Sequence, residues 1–170
     1  HYENPDIATD WRPRVEKKYG TPAVDQILVW MFTLDGVPML FSGNELADAD
    51  TRHSMFGKTP MDWTQLEREP GKSRHALVKR LAELRRGHPA FTAVNGIDGL
   101  TWLDTTAPDQ VSAFVRRGRG ETVLVVQNWT AKETTCDVSF QAPKSSVPSY
   151  IVAEDADRDV KGTVVDTPLL

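Results

Sequence analysis

Residues 1–95 read as an α/β segment and residues 96–170 as a small all-β antiparallel sandwich. Two observations predict the first part: an amphipathic helical stripe beginning near residue 21, and a short apolar run directly after it. A third predicts the second part: beyond Gly96, short alternating runs recur between turn residues.

The elements follow in chain order. Residues 1–4 are read as the stub of a strand. Thr21-Pro22 is a helix start, with Thr as the N-cap and Pro at the first helical position. Val24, Ile27, Leu28 and Met31 then fall on one face, and Gly36 is placed to end the helix. Residues 37–41 suit a buried parallel strand, so helix and strand make half of a βαβ unit. Residues 42–72 form a long polar stretch, a length that usually serves function or holds short helices. Ser73 can cap a second helix, with Leu77, Leu81 and Leu84 on one face and Gly87 and Pro89 closing it. Lys72, Arg74, Lys79, Arg80, Arg85 and Arg86 are read as its solvated face. Strands are expected at 100–103, 111–117, 122–128, 134–140, 149–153 and 162–165. Gly118-Arg119-Gly120 is a tight hairpin connection.

Composition narrows the function classes. A chain of 170 residues with a net charge of -4 argues against a nucleic-acid partner. No apolar stretch approaches the roughly 20 residues that span a bilayer. Cys136 is the only cysteine, so an internal disulfide is excluded. His1, His53, His75 and His88 show no metal-ligand spacing, and no dinucleotide, P-loop or nucleophile-elbow motif is present. No cofactor or metal is therefore expected. Residue 1 is His, and the sequence reads as the tail of something larger.

The chemistry-bearing candidates are carboxylates at expected strand ends. Asp6 follows the first stub and Glu45 follows residues 37–41, the places where a (β/α) barrel keeps its reactive groups. Glycoside hydrolysis uses two carboxyl groups roughly 5–9 Å apart. Asn4-Pro5-Asp6 is equally readable as a turn. Arg12, Arg14 and Arg52 are candidates for binding carboxylates or substrate. Trp11 and Trp63, in loops, can stack on a sugar face or pack, while Trp102 and Trp129 are expected to pack in the second domain.

Taken in order, the motifs resemble the α-amylase family, glycoside hydrolase family 13. They are Glu3-Asn4-Pro5-Asp6, Gly36-Val37-Pro38-Met39-Leu40-Phe41-Ser42-Gly43-Asn44-Glu45, Pro60-Met61-Asp62-Trp63, Leu84-Arg85-Arg86-Gly87-His88-Pro89-Ala90 and Val111-Ser112-Ala113-Phe114-Val115-Arg116-Arg117. The resemblance covers residues 1 to about 140 and implies the C-terminal portion of such an enzyme. Residues 1–95 would run from the end of strand 7 to helix 8 of the (β/α)8 barrel, and 96–170 would be the family's C-terminal β-sandwich.

By the same resemblance Asp6 matches the third family carboxylate, which stabilises the oxocarbenium-like transition state. Asn4 helps position that strand end, and Glu45 is structural or cleft-lining. Arg14, Arg52 and Trp63 complete the candidate substrate-binding set. Two departures stand out. Pro5 replaces a hydrogen-bonding His, and Thr9 stands where the family often has Arg, so that Arg12 or Arg14 could substitute only from a shifted loop. The nucleophile and acid/base belong to strands 4 and 5 of the family barrel, so the segment is expected to be inactive alone. Its expected partners are an α-glucan or oligosaccharide, the remainder of the barrel, and a second copy through dimerisation or swapping. A transglycosylase of the same family and a non-catalytic carbohydrate-binding or structural module are the alternatives.

Overall fold

The structure is a computed structural model that describes residues 1–4, 6, 12–53, 59–92 and 99–140. The strands expected at 149–153 and 162–165 lie outside the described residues, as do Pro5, Thr9 and Trp11.

Among the described residues, four α-helices precede the sheet. Helix α1 (Val15–Tyr19) is separated from α2 (Thr21–Thr33) by Gly20, whose φ of +80° suits only a residue without Cβ. Gly20 therefore takes the cap position, and Thr21, expected as the cap, is the first helical residue. The expected stripe is present: Val24, Leu28 and Phe32 are buried, and Leu28 and Phe32 pack with Leu81 of α3 (Gly71–Gly87). Helix α3 begins two residues before Ser73, with Pro70 at its cap position. The direction of capping is reversed, because Ser73 donates its backbone N–H to the Glu69 carboxylate at 3.2 Å. Helix α4 (Pro89–Thr92) leads towards the sheet.

Residues 37–41, expected as a parallel strand, pair with no other strand among the described residues. The same holds for residues 1–4. Strand structure needs a hydrogen-bonded neighbour, and the described residues offer none at this place. Exposure still alternates over residues 37–40: Val37 is 85% exposed and Met39 44%, whereas Pro38 and Leu40 are half-buried.

The sheet has three antiparallel strands in the order β1 (Leu100–Leu103), β2 (Val111–Gly118), β3 (Glu121–Asn128). Trp102 lies opposite Phe114, and Phe114 opposite Val125. Arg119 (φ +49°) and Gly120 (φ +84°) make the two-residue turn expected of a twisted hairpin. Residues 134–140 contribute only a single bridge, Thr105 with Val138, instead of a fourth strand. A second sheet is not seen among the described residues.

Helices and sheet are joined by buried polar side chains, and His1–Phe140 form one unit. Arg116, on β2 and fully buried, donates to the carbonyls of Thr33 (3.0 Å) and Gly99 (3.3 Å). It also pairs with Asp35 at 3.3 Å. Arg85 of α3 donates to Phe32 O (2.7 Å) and Leu34 O (3.0 Å), satisfying carbonyls that the end of α2 leaves open. The basic face expected on α3 is thus only partly solvated, since Arg74 is fully buried and Arg85 half-buried.

Tyr2 packs against the Leu28–Phe32–Leu81 cluster with its hydroxyl buried and unbonded among the described residues. Burial pushes its ionisation well above the usual tyrosine range. The folded state therefore holds this proton more tightly than the unfolded chain does. Its contribution is complete below pH 10 and is lost as pH rises beyond it. Tyr2→Phe is expected to be neutral or stabilising by up to about 1 kcal/mol at pH 7, since no bond is lost. Urea unfolding of both chains at pH 7 and pH 11 checks this, and the gap should widen in favour of the variant at pH 11.

Candidate functional site

The segment that carries Asn4 and Asp6 is tied to the turn after residue 41 by one carboxylate. Glu3, 1% exposed, accepts from Arg14 Nη2 at 2.8 Å, from Arg14 Nε at 3.2 Å and from Asn44 Nδ2 at 2.7 Å. Its other oxygen accepts the backbone N–H of Val15 at the start of α1, at 3.0 Å. Arg14 is itself fully buried. Its remaining donors reach Asp48 Oδ2 at 3.0 Å and the Ser42 carbonyl at 2.9 Å, and its guanidinium lies 5.3 Å from the Phe41 ring centroid. His53 Nδ1 meets the same Asp48 oxygen at 2.9 Å. A planar five-donor fork suits this arrangement of three acceptors around one cation.

Backbone conformation supports the cluster. Gly43 has φ +92°, and a Cβ there would stand 2.8 Å from Arg14 Nη1 and 2.9 Å from Asp48 Cβ. Only glycine lets the turn close on the buried guanidinium. Asn44 then donates to Glu3 and accepts the Phe41 N–H at 2.8 Å, locking the turn from both sides.

The expected site residues occupy different environments. Asp6 is exposed, and its N–H donates to Asn4 Oδ1 at 3.0 Å in a local turn. Asn4 Nδ2 also lies 3.1 Å from His1 Nε2. Glu45 accepts from the Gly43 N–H at 3.1 Å and lines a groove of about 490 Å³ with Leu40, Phe41, His75 and Lys79. Arg52 is solvent-exposed and forks onto Asp50, with Nε 2.9 Å from Oδ2. That contact holds Asp50 well below the usual carboxylate range, although its exposure leaves the pair little net stabilisation. Trp63 is 60% exposed, in a short turn where Asp62 accepts from Thr64 N–H.

Arg14 departs from its expected role. Fully buried, it donates to Glu3, Asp48 and the Ser42 carbonyl and so acts as the joint between them. Sequence reasoning also missed Glu3, Asn44 and Asp48, which form the joint with it. The available signal was charge density: a buried arginine in a loop needs carboxylates, and Glu3 and Asp48 belong to the quoted motif and the acidic stretch beside it. Among the described residues, no three His, Cys, Asp or Glu side chains group as metal ligands. Within the same residues, no helix is long and apolar enough to cross a membrane.

Comparison with known proteins gives these features a context. No family model matches the chain. It is 27% identical over 132 residues to a cyclomaltodextrin glucanotransferase from Klebsiella oxytoca, covering 75% of this chain and 19% of that protein. It is 32% identical over 107 residues to a 1,4-alpha-glucan branching enzyme from Nitrosomonas europaea, covering 61% of this chain and 14% of the enzyme. Among solved structures it resembles a maltogenic alpha-amylase from Thermotoga neapolitana, with a TM-score of 0.63 and 23% identity over 78% of this chain and 29% of the other. That last likeness bears on the fold alone. The chain spans less than a fifth of the length of these curated relatives. On the quoted motifs and these matches together, it resembles members of the α-amylase family.

Proposed function

We propose that this chain forms the C-terminal part of an α-amylase-type enzyme acting on α-glucans or α-glucosidic oligosaccharides. Residues 1–95 supply the end of the barrel and residues from 96 a β-domain. The observation that carries the reading is the shared anchor of two motif segments: Glu3 bonds both Arg14 and Asn44, so the Asn4–Asp6 turn is held beside the Gly43–Glu45 turn. In a barrel these are neighbouring strand ends, where substrate binds. Asp6, exposed and carried on that anchored turn, is free to accept sugar hydroxyls. A carboxylate held beside the ring at the cleavage point favours the positive charge that develops there. Asn4 shapes its turn, while Glu45, Arg52 and Trp63 line the approach.

The nucleophile and the general acid/base are contributed by parts of the barrel outside this chain. The 170 residues alone are therefore expected to release no reducing sugar from starch. The longer natural protein should do so, with Asp6→Asn lowering kcat by about 10²–10³-fold, the scale of losing one transition-state-stabilising group. Hydrolysis by the isolated chain, or an Asp6→Asn enzyme with unchanged kcat, would sink the proposal.

A transfer reaction is a second reading, favoured by the names of the curated relatives, a glucanotransferase and a branching enzyme. Product analysis on maltoheptaose separates the two. Products longer than the substrate, or cyclic ones, indicate transfer, and shorter chains alone indicate hydrolysis.

A further inference from the structure

We propose that the edge of the sheet carries a glucan-binding groove built on Trp102, separate from the Asp6 segment. The α-linkage of its ligand rests on the function proposed above; the site itself rests on the following geometry. Trp102, expected to pack, is 55% exposed. It stands on edge strand β1 opposite Phe114, whose fully buried ring meets it edge-on at 5.1 Å between centroids and 63° between planes. The indole is therefore held in place from below while much of its surface faces solvent. Such an aromatic, already ordered, loses little conformational freedom on binding.

A groove of about 440 Å³ runs beside it, lined by Trp102, Asp104, Thr105, Pro108 and Ser112 among others. The volume is in the range of small-molecule sites, roughly 300–1,000 Å³. Its chemistry is divided in the way a sugar ring is divided. A pyranose has an apolar C–H face that stacks on an indole, and a rim of hydroxyls that need polar partners. Asp104 is exposed and has no hydrogen-bond or ion partner among the described residues, so both carboxylate oxygens are available to such hydroxyls. Trp129, 39% exposed, is anchored to strand β2. Its Nε1–H donates to Ser112 Oγ at 2.9 Å, and its ring meets Trp30 edge-on at 5.8 Å. An ordered indole with a carboxylate beside it suits a sugar ring better than an apolar peptide.

The test uses the 170-residue chain in native gels containing amylopectin or barley β-glucan, with titration by maltoheptaose read through tryptophan fluorescence. Retardation by amylopectin is expected, weakened at least tenfold in Trp102→Ala and several-fold in Asp104→Ala, with Tyr19→Ala, an exposed aromatic of helix α1, behaving as the parent chain. Asp104→Ala removes no packing and keeps the proposal testable if Trp102→Ala misfolds. Trp102-dependent retention by β-glucan but not amylopectin would uphold the site and refute the α-glucan reading. Equal retention of Trp102→Ala and the parent chain, or no retention in either gel, would overturn the site and leave the family function standing. Loss of a dimer in Trp102→Ala, without any loss of glucan retention, would equally overturn it.

Discussion

Arg14→Ala is expected to lower the stability of this chain by about 3–5 kcal/mol, the scale of removing one partner from a buried ion pair. The cost lies less in the lost attraction than in what is left behind. Glu3 and Asp48, 1% and 3% exposed, would both remain buried with their shared cation gone. The Ser42 carbonyl would lose a donor too. Arg14→Lys should recover only part of the loss, because a single ammonium cannot span Glu3, Asp48 and Ser42 as the planar fork does. Urea unfolding at pH 7 measures both variants. A loss below about 1 kcal/mol in Arg14→Ala would mean that the anchor between the Asn4–Asp6 turn and residues 42–48 is not what holds them together. Under the proposed function, the same substitution in a complete enzyme should lower kcat through Asp6, without any contact between Arg14 and the sugar.

Arg74→Ala should be comparably damaging, again about 3–5 kcal/mol at pH 7. Arg74 emerges from α3 into a fully buried position and pairs with Asp25 of α2 at 2.5 Å and Glu16 of α1 at 3.0 Å. It also donates to the Asn44 carbonyl at 3.0 Å. One side chain therefore joins three helices to the turn that follows residue 41. The pH dependence distinguishes this mechanism from simple loss of packing. Burial already pushes the Asp25 carboxyl above its usual range, with Arg74 opposing the shift. Without Arg74 the folded state binds that proton more tightly still. A carboxyl whose folded-state pKa is raised contributes stability that is present below its unfolded value, near 3.9, and lost as pH rises through the folded one. The deficit of Arg74→Ala should therefore shrink between pH 7 and pH 4. A deficit of the same size at both pH values would point to lost packing alone.

Much of the helical and β structure was legible because it depends on local patterns. The stripe Val24, Leu28 with Leu81 opposite, the strands β1 to β3 and the Arg119-Gly120 turn all follow from periodicity and turn chemistry. Helix starts were less legible. Gly20 displaced Thr21 as a cap, and α3 began at Gly71, where any Cβ would overlap the Gln65 carbonyl group. A close approach between backbones is a tertiary fact that no local propensity encodes. The burial of Arg14 and Arg74 was hidden for a related reason. Arginine is ordinarily a surface residue, and only the positions of partners up to 58 residues away make its burial affordable.

The sequence by itself determined the two longer helices, strands β1 to β3 with their hairpin turn and, through its motifs, the resemblance to the α-amylase family. These are carried by residue spacing along one chain, which needs no knowledge of what lies nearby in space. Tertiary structure alone decided that Arg14 is a joint and not a sugar ligand, that Glu3 holds Asp6's turn beside residues 42–45, and that Trp102 stands open to solvent. The physical reason is that burial and pairing are properties of distant chain segments brought together, and a charge or an indole takes its role from what surrounds it.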